Sequence, residues 1–163
     1  MPHEERKRVY VETTVVSYLV ARPSMDVAVA GHQAVTHKLW PKLTAKYDTY
    51  VSALVYGEAR RGDPRQAALR IEALQPFALL DIDDEVKALA GDIITNGGVP
   101  KEYPEDAIHV AVAAINRIDV LLTWNFAHLN NPFTRLKVRR SVEMRGYNCP
   151  EICSPEELLE TEK

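Results

Sequence analysis

Short apolar runs rich in β-branched residues alternate along this chain with longer stretches of helical periodicity, and no other feature constrains the fold as much. Strand, helix and strand in succession make βαβ units, which lie in a parallel sheet with helices on its faces. The pattern predicts strands at residues 9–11, 50–51, 77–80 and 120–122, with a short fifth strand around Val138. The Val120-Leu121-Leu122 run is unusually apolar, as expected of an inner strand covered on both faces. Helical stretches fall at 15–20, 27–46, 54–61, 64–74 and 104–116, and Pro41 is expected to kink or divide the second. A further helix is capped by Asp83 or Asp84 and stopped at Asn96-Gly97-Gly98. Ser154-Pro155-Glu156-Glu157 reads as a capping box for a last helix anchored by Leu158 and Leu159. The expected architecture is a three-layer α/β/α fold with a central, mainly parallel sheet.

The chain has 163 residues, 46% hydrophobic and 26% charged, which excludes a disordered or low-complexity chain. One core suits this length, so residues 1–163 are expected to form a single domain with a short C-terminal tail from about 141. Lys plus Arg number 20 against 23 Asp plus Glu, a net charge of −3, so attraction of the whole molecule to polyanions is not expected. No apolar run approaches the ~20 residues that span a bilayer. The opening MPHEERKRVY lacks the apolar stretch of a secretory signal, and Cys149 and Cys153 make no disulfide framework. The expected location is cytoplasmic.

In an open parallel sheet the carboxyl ends of the strands share one edge, and ligands bind in the crevice there. Glu12 directly follows the first strand, and Glu58 lies about one and a half turns into the helix after the second. Asp106 stands in the first turn of the Ala-rich helix, and Asn125 comes three residues after Leu122. Three acids and one amide from four distant segments are thus expected to converge on one edge. Such a cluster is costly unless cations neutralise it, and Mg²⁺ or Mn²⁺ accept oxygen ligands of this kind. Paired ions of that sort are a standard means of phosphodiester hydrolysis. The plainer reading is that some of 23 acids follow strands by chance and that acids at helix starts complement the helix dipole.

The residues in order carry more than their spacing. Val11-Glu12-Thr13-Thr14-Val15-Val16-Ser17-Tyr18-Leu19 resembles the opening motif of PIN-domain nucleases, and Ser52 with Glu58 six residues on resembles the second. Asp106-Ala107-Ile108-His109-Val110-Ala111 resembles the third. Leu121-Leu122-Thr123-Trp124-Asn125-Phe126-Ala127-His128-Leu129 resembles the fourth as it occurs in a VapC-type, toxin-like branch. The resemblance runs from about Val9 to Leu159. It implies a metal-dependent endoribonuclease, the toxin of a toxin–antitoxin pair, in which Glu12, Glu58 and Asp106 hold one or two Mg²⁺ or Mn²⁺ ions. Asn125 would complete the site or orient a water, and Thr13 and Thr123 would donate to the acids. RNA as substrate, a small antitoxin protein as partner and homodimers are implied as well. Two positions depart from the common pattern: Glu12 replaces Asp, one methylene longer, and Asn125 replaces an acid, removing one charge. These departures favour the alternative, a catalytically weakened PIN-like module that binds RNA or a partner.

Other residues have blander readings. Asp81-Ile82-Asp83-Asp84 is expected to cap a helix, and His109, three residues from Asp106, to pack or to support that acid. Cys149 and Cys153 lack the second pair of a zinc site. Arg60, Arg61, Arg65 and Arg70, with Arg135, Lys137, Arg139 and Arg140, either make solvated faces or contact RNA phosphates or an acidic partner segment. Trp124 either stacks on a base or fills the core.

Overall fold

The computed structural model describes residues 5–162. β1 (Arg8–Val11), β2 (Asp48–Ser52), β3 (Ala78–Leu80), β4 (Val120–Leu122) and β5 (Glu151–Cys153) pair in the order β3-β2-β1-β4-β5, every pair parallel. The chain fills one half of the sheet outward from β1 and then returns to β1's other side with β4. The strand order therefore reverses between β1 and β4, where a crevice opens beyond their carboxyl ends. Val9, Tyr10 and Val11 of the central strand are fully buried, as are Leu121 and Leu122 of β4.

The helices are α1 (Thr13–Val20), α2 (Val27–Lys46), α3 (Ala53–Ala59), α4 (Pro64–Leu74), α5 (Asp84–Thr95), α6 (Pro104–Ile115), α7 (Pro132–Met144) and α8 (Pro155–Glu160). α5, α6 and α7 pack on one another, α1 packs on α2, α3 and α4, and α8 packs on α2. The result is the expected three-layer α/β/α architecture. Local chemistry sets the boundaries. Ser52 and Asp83 accept the N–H groups of Val55 and Val86 as N-caps, and Ser154 with Glu157 forms a reciprocal capping box. After α5 the chain turns through Gly97 at φ 76°, a conformation that glycine adopts without strain.

Three expectations need correction. Val138 belongs to no strand: it is buried in α7 with Val142 one turn on, so the Val138–Val142 spacing among charged neighbours is helical. The fifth strand is formed instead by residues 151–153, where Ile152 alone is buried and pairs with Leu121. Of the two effects expected of Pro41, a kink or a division of α2, the division does not occur, since the helix is continuous from Val27 to Lys46. Pro41 and His37, whose carbonyl loses its helical donor, are both exposed, so water can replace that bond. The stretch from about 141 is no tail, since it finishes α7 and contributes β5 and α8. Among the described residues no helix is long and apolar enough to cross a membrane.

Candidate active site

Glu12, Glu58, Asp106 and Asn125 line one cleft of about 420 Å³ at the carboxyl edge of the sheet, and none of the described residues lining it is basic. Each reaches it from a different element. Glu12 leaves β1 as the N-cap of α1, its carboxylate accepting the Thr14 N–H and, at 3.2 Å, the Thr123 hydroxyl. Its own N–H continues the sheet by donating to the Leu122 carbonyl. Glu12 is therefore fixed at the β1–β4 reversal and is only 3% exposed. Burial pushes its carboxyl above the ordinary range, and nearby Glu58 adds to this, against the positive pull of His109 and the Thr14 hydrogen bond.

Glu58 projects from α3, where its Oε1 accepts the Thr13 hydroxyl at 2.8 Å and pairs with His109 Nε2 at 2.6 Å. Burial alone would raise Glu58, but the hydrogen bond and charge of His109, with Thr13, hold it below its usual value. Burial works against a charged His109 too, yet Glu58, Glu12 and Asp106 together lift it above its usual value. Asp106 is raised by burial, partly offset by His109 and His128. Both its oxygens are engaged: Oδ1 accepts the Asn125 amide at 3.3 Å and Oδ2 pairs with His128 Nδ1 at 3.1 Å.

Asn125 does not offer a free carbonyl. Its Oδ1 accepts the His128 N–H at 3.0 Å, which turns its amide group toward Asp106. Thr13 and Thr123 do donate to the acids, to Glu58 and Glu12 respectively. Trp124 is buried, stacks on His32 at 4.1 Å and donates to the Thr36 hydroxyl, so its place is in the core. Arg70 ties α4 to the end of α3 through the Ala59 and Arg61 carbonyls, Arg135 donates to Asn130 and Arg139 pairs with Glu151. The sequence assigned no role to His128 or Tyr10, and Ser52 entered only as part of the second motif. His128 carried a signal, three residues beyond Asn125 in the same motif, whereas Tyr10 sits in an apolar strand where a hydroxyl leaves no trace in the pattern.

Three carboxylates and no basic side chain suit a hard divalent cation, and burial leaves Glu12 and Asp106 reluctant to ionise without one. As they stand, no group of three or more His, Cys, Asp or Glu side chains among the described residues is gathered as a ready-made ligand set.

No family model matches the sequence, and no curated protein matches it either. Solved structures do. VapBC2 from Rickettsia felis, bound to a DNA fragment from its promoter, is similar with a TM-score of 0.58 at 13% identity, covering 90% of this chain and 98% of the solved one. VapC20 of Mycobacterium tuberculosis, described as a sarcin-ricin loop cleaving toxin, is similar with a TM-score of 0.52 at 18% identity, covering 69% of this chain and 86% of that one. The α/β/α layers and the order of the strands thus make a PIN-domain fold. More particularly, the fold is that of the VapC-type structures.

Proposed function

We propose that this protein is a metal-dependent endoribonuclease and the toxin of a toxin–antitoxin pair, built as one PIN-like domain and working in the cytoplasm as a homodimer. One observation carries the reading: carboxylates from the ends of β1, α3 and α6 share a cleft that, among the described residues, no basic side chain lines. Glu12, Glu58 and Asp106 would hold Mg²⁺ or Mn²⁺, which supplies Lewis-acid stabilisation of charge on a phosphodiester and lowers the pKa of water. Thr123 and the Thr14 N–H fix Glu12, Thr13 fixes Glu58, and the Asn125 amide orients Asp106. An antitoxin segment would cover the acidic edge, placing a basic side chain among the carboxylates. The VapBC2 and VapC20 likenesses, with the four motifs, support this choice over other hydrolases.

A second reading, a catalytically weakened module that binds RNA or a partner, is favoured by the engagement of both Asp106 oxygens. Cleavage separates the two. Purified protein incubated with a mixed RNA pool should produce defined ends with Mg²⁺ or Mn²⁺ and none with EDTA, and Asp106→Asn should abolish them while the fold is kept. Intact RNA at every metal concentration, or cleavage by the variant equal to wild type, rejects the nuclease assignment.

A further inference from the structure

A fully buried run of polar side chains lies behind the cleft. His109 is 1% exposed, Tyr10 and Ser52 are not exposed at all, and the three form an unbroken run of hydrogen bonds. Ser52 Oγ, the N-cap of α3, accepts the Val55 N–H at 3.3 Å and bonds to the Tyr10 hydroxyl at 2.8 Å. That hydroxyl meets His109 Nδ1 at 2.6 Å, and His109 Nε2 meets Glu58 Oε1 at 2.6 Å. Glu58 itself lies on α3. The run is therefore a closed circuit: it starts at the first turn of the helix that carries Glu58 and returns to that side chain by way of β1 and α6.

An ionised carboxylate only accepts, so His109 Nε2 presents a proton to Glu58 whatever the charge on the ring. Tyr10 occupies the other ring nitrogen and prevents the ring from turning over. Without the circuit Glu58 would keep only the Thr13 hydroxyl and several rotatable bonds. Glu12 has no such need, since backbone and Thr123 hold it at the strand end. We infer that His109 and Tyr10 are positioning residues for Glu58, setting the orientation in which it receives a divalent cation. The inference rests on the proposed metal-dependent reading of the cleft. Partners that orient a ligand in this way are typically worth about 10–100-fold in metal affinity.

The test is calorimetric titration of Mn²⁺ into wild type, Tyr10→Phe, His109→Gln, His109→Ala and, as reference, Glu58→Gln, with melting temperatures in EDTA recorded beside each. His109→Ala should weaken Mn²⁺ binding by about 10–100-fold. His109→Gln, which still offers an N–H to Glu58, should recover part of the loss, and Tyr10→Phe should fall between wild type and His109→Ala. If His109→Ala does not fold, the ranking of Tyr10→Phe and His109→Gln decides alone. Packing without positioning predicts lower melting temperatures and unchanged Mn²⁺ affinity, which overturns the inference while leaving the metal reading intact. Wild type that binds no Mn²⁺, or binds it as Glu58→Gln does, overturns the metal reading and the inference with it.

Discussion

Asn125 and Asp106 meet through a single hydrogen bond, donated by the neutral amide to Asp106 Oδ1. Asn125→Asp keeps an oxygen to accept the His128 N–H, but it puts a carboxylate oxygen where the amide now donates to Asp106. The metal-free protein loses a hydrogen bond and gains a like-charge contact, at a cost of about 1–3 kcal/mol. The melting temperature in EDTA should fall by roughly 2–10 °C. The added charge should in turn tighten Mn²⁺ by about tenfold. Melting curves of both proteins with and without Mn²⁺ check this, and equal EDTA melting temperatures would mean that the Asn125 amide does not lean on Asp106. The four cleft residues were legible in the sequence because each stands in one of four motifs that occur in a recognisable order. Thr13 and Thr123 were legible as donors to the acids, but the Tyr10–His109 pairing was not, because a tyrosine in an apolar strand reads as core and the pairing depends on the distance between β1 and α6.

Elements were legible in proportion to the length of their periodicity. α6, with its Ala-rich run, and α4, opened by Pro64 after the Gly62-Asp63 break, begin where the sequence places them. β5 was not legible, because a strand of three residues with one buried side chain has no alternation to detect; pairing with β4 creates it. Val138 misled for the same reason, as a lone β-branched residue among charges whose partners become visible only when α7 packs on α5. That packing makes a prediction. A Cβ on Gly98, just beyond α5, would lie 3.1 Å from Ile93 Cγ2, 3.2 Å from the Ile93 carbonyl oxygen and 3.2 Å from Val138 Cγ2. Gly98→Ala should therefore destabilise by about 1–2 kcal/mol through overpacking. Val138→Ala alone costs stability by leaving a cavity, but in the double variant it gives the new methyl group room. Urea unfolding of the four proteins in a double-mutant cycle should show a coupling of at least ~0.5 kcal/mol in the relieving direction. Strict additivity would show that α5 and α7 do not press together at this point.

For the whole molecule the decisive quantity is the proton balance of the cleft. Folding raises Glu12 and Asp106 above their ordinary values of 4.5 and 3.8, burial being the first cause in both. Their contribution to stability is therefore full below those values and is lost as pH rises through the folded ones. His109, raised above 6.5 by Glu58 and the other acids against the effect of burial, likewise contributes below 6.5 and loses that contribution as pH rises through its folded value. Glu58 runs the other way: held below 4.5, it contributes above that value and its share is lost as pH falls through the lowered one. Metal-free stability should thus be greatest on the mildly acidic side, at about pH 5–6, and should decline toward about pH 8. A divalent ion that binds the ionised carboxylates of the folded state reverses the slope, because its affinity grows as protons leave. At a hundred times its dissociation constant it adds about 2.7 kcal/mol, or roughly 5–11 °C for a chain of this size. Melting curves in EDTA and in excess Mn²⁺, each at several values between pH 5 and 8, should diverge as pH rises. Glu58→Gln should shrink the Mn²⁺ increment at every pH, since it removes a carboxylate that is ionised across the whole range, and should leave the divergence to Glu12 and Asp106. A Mn²⁺ increment that stays the same across the range would place the ion away from Glu12 and Asp106.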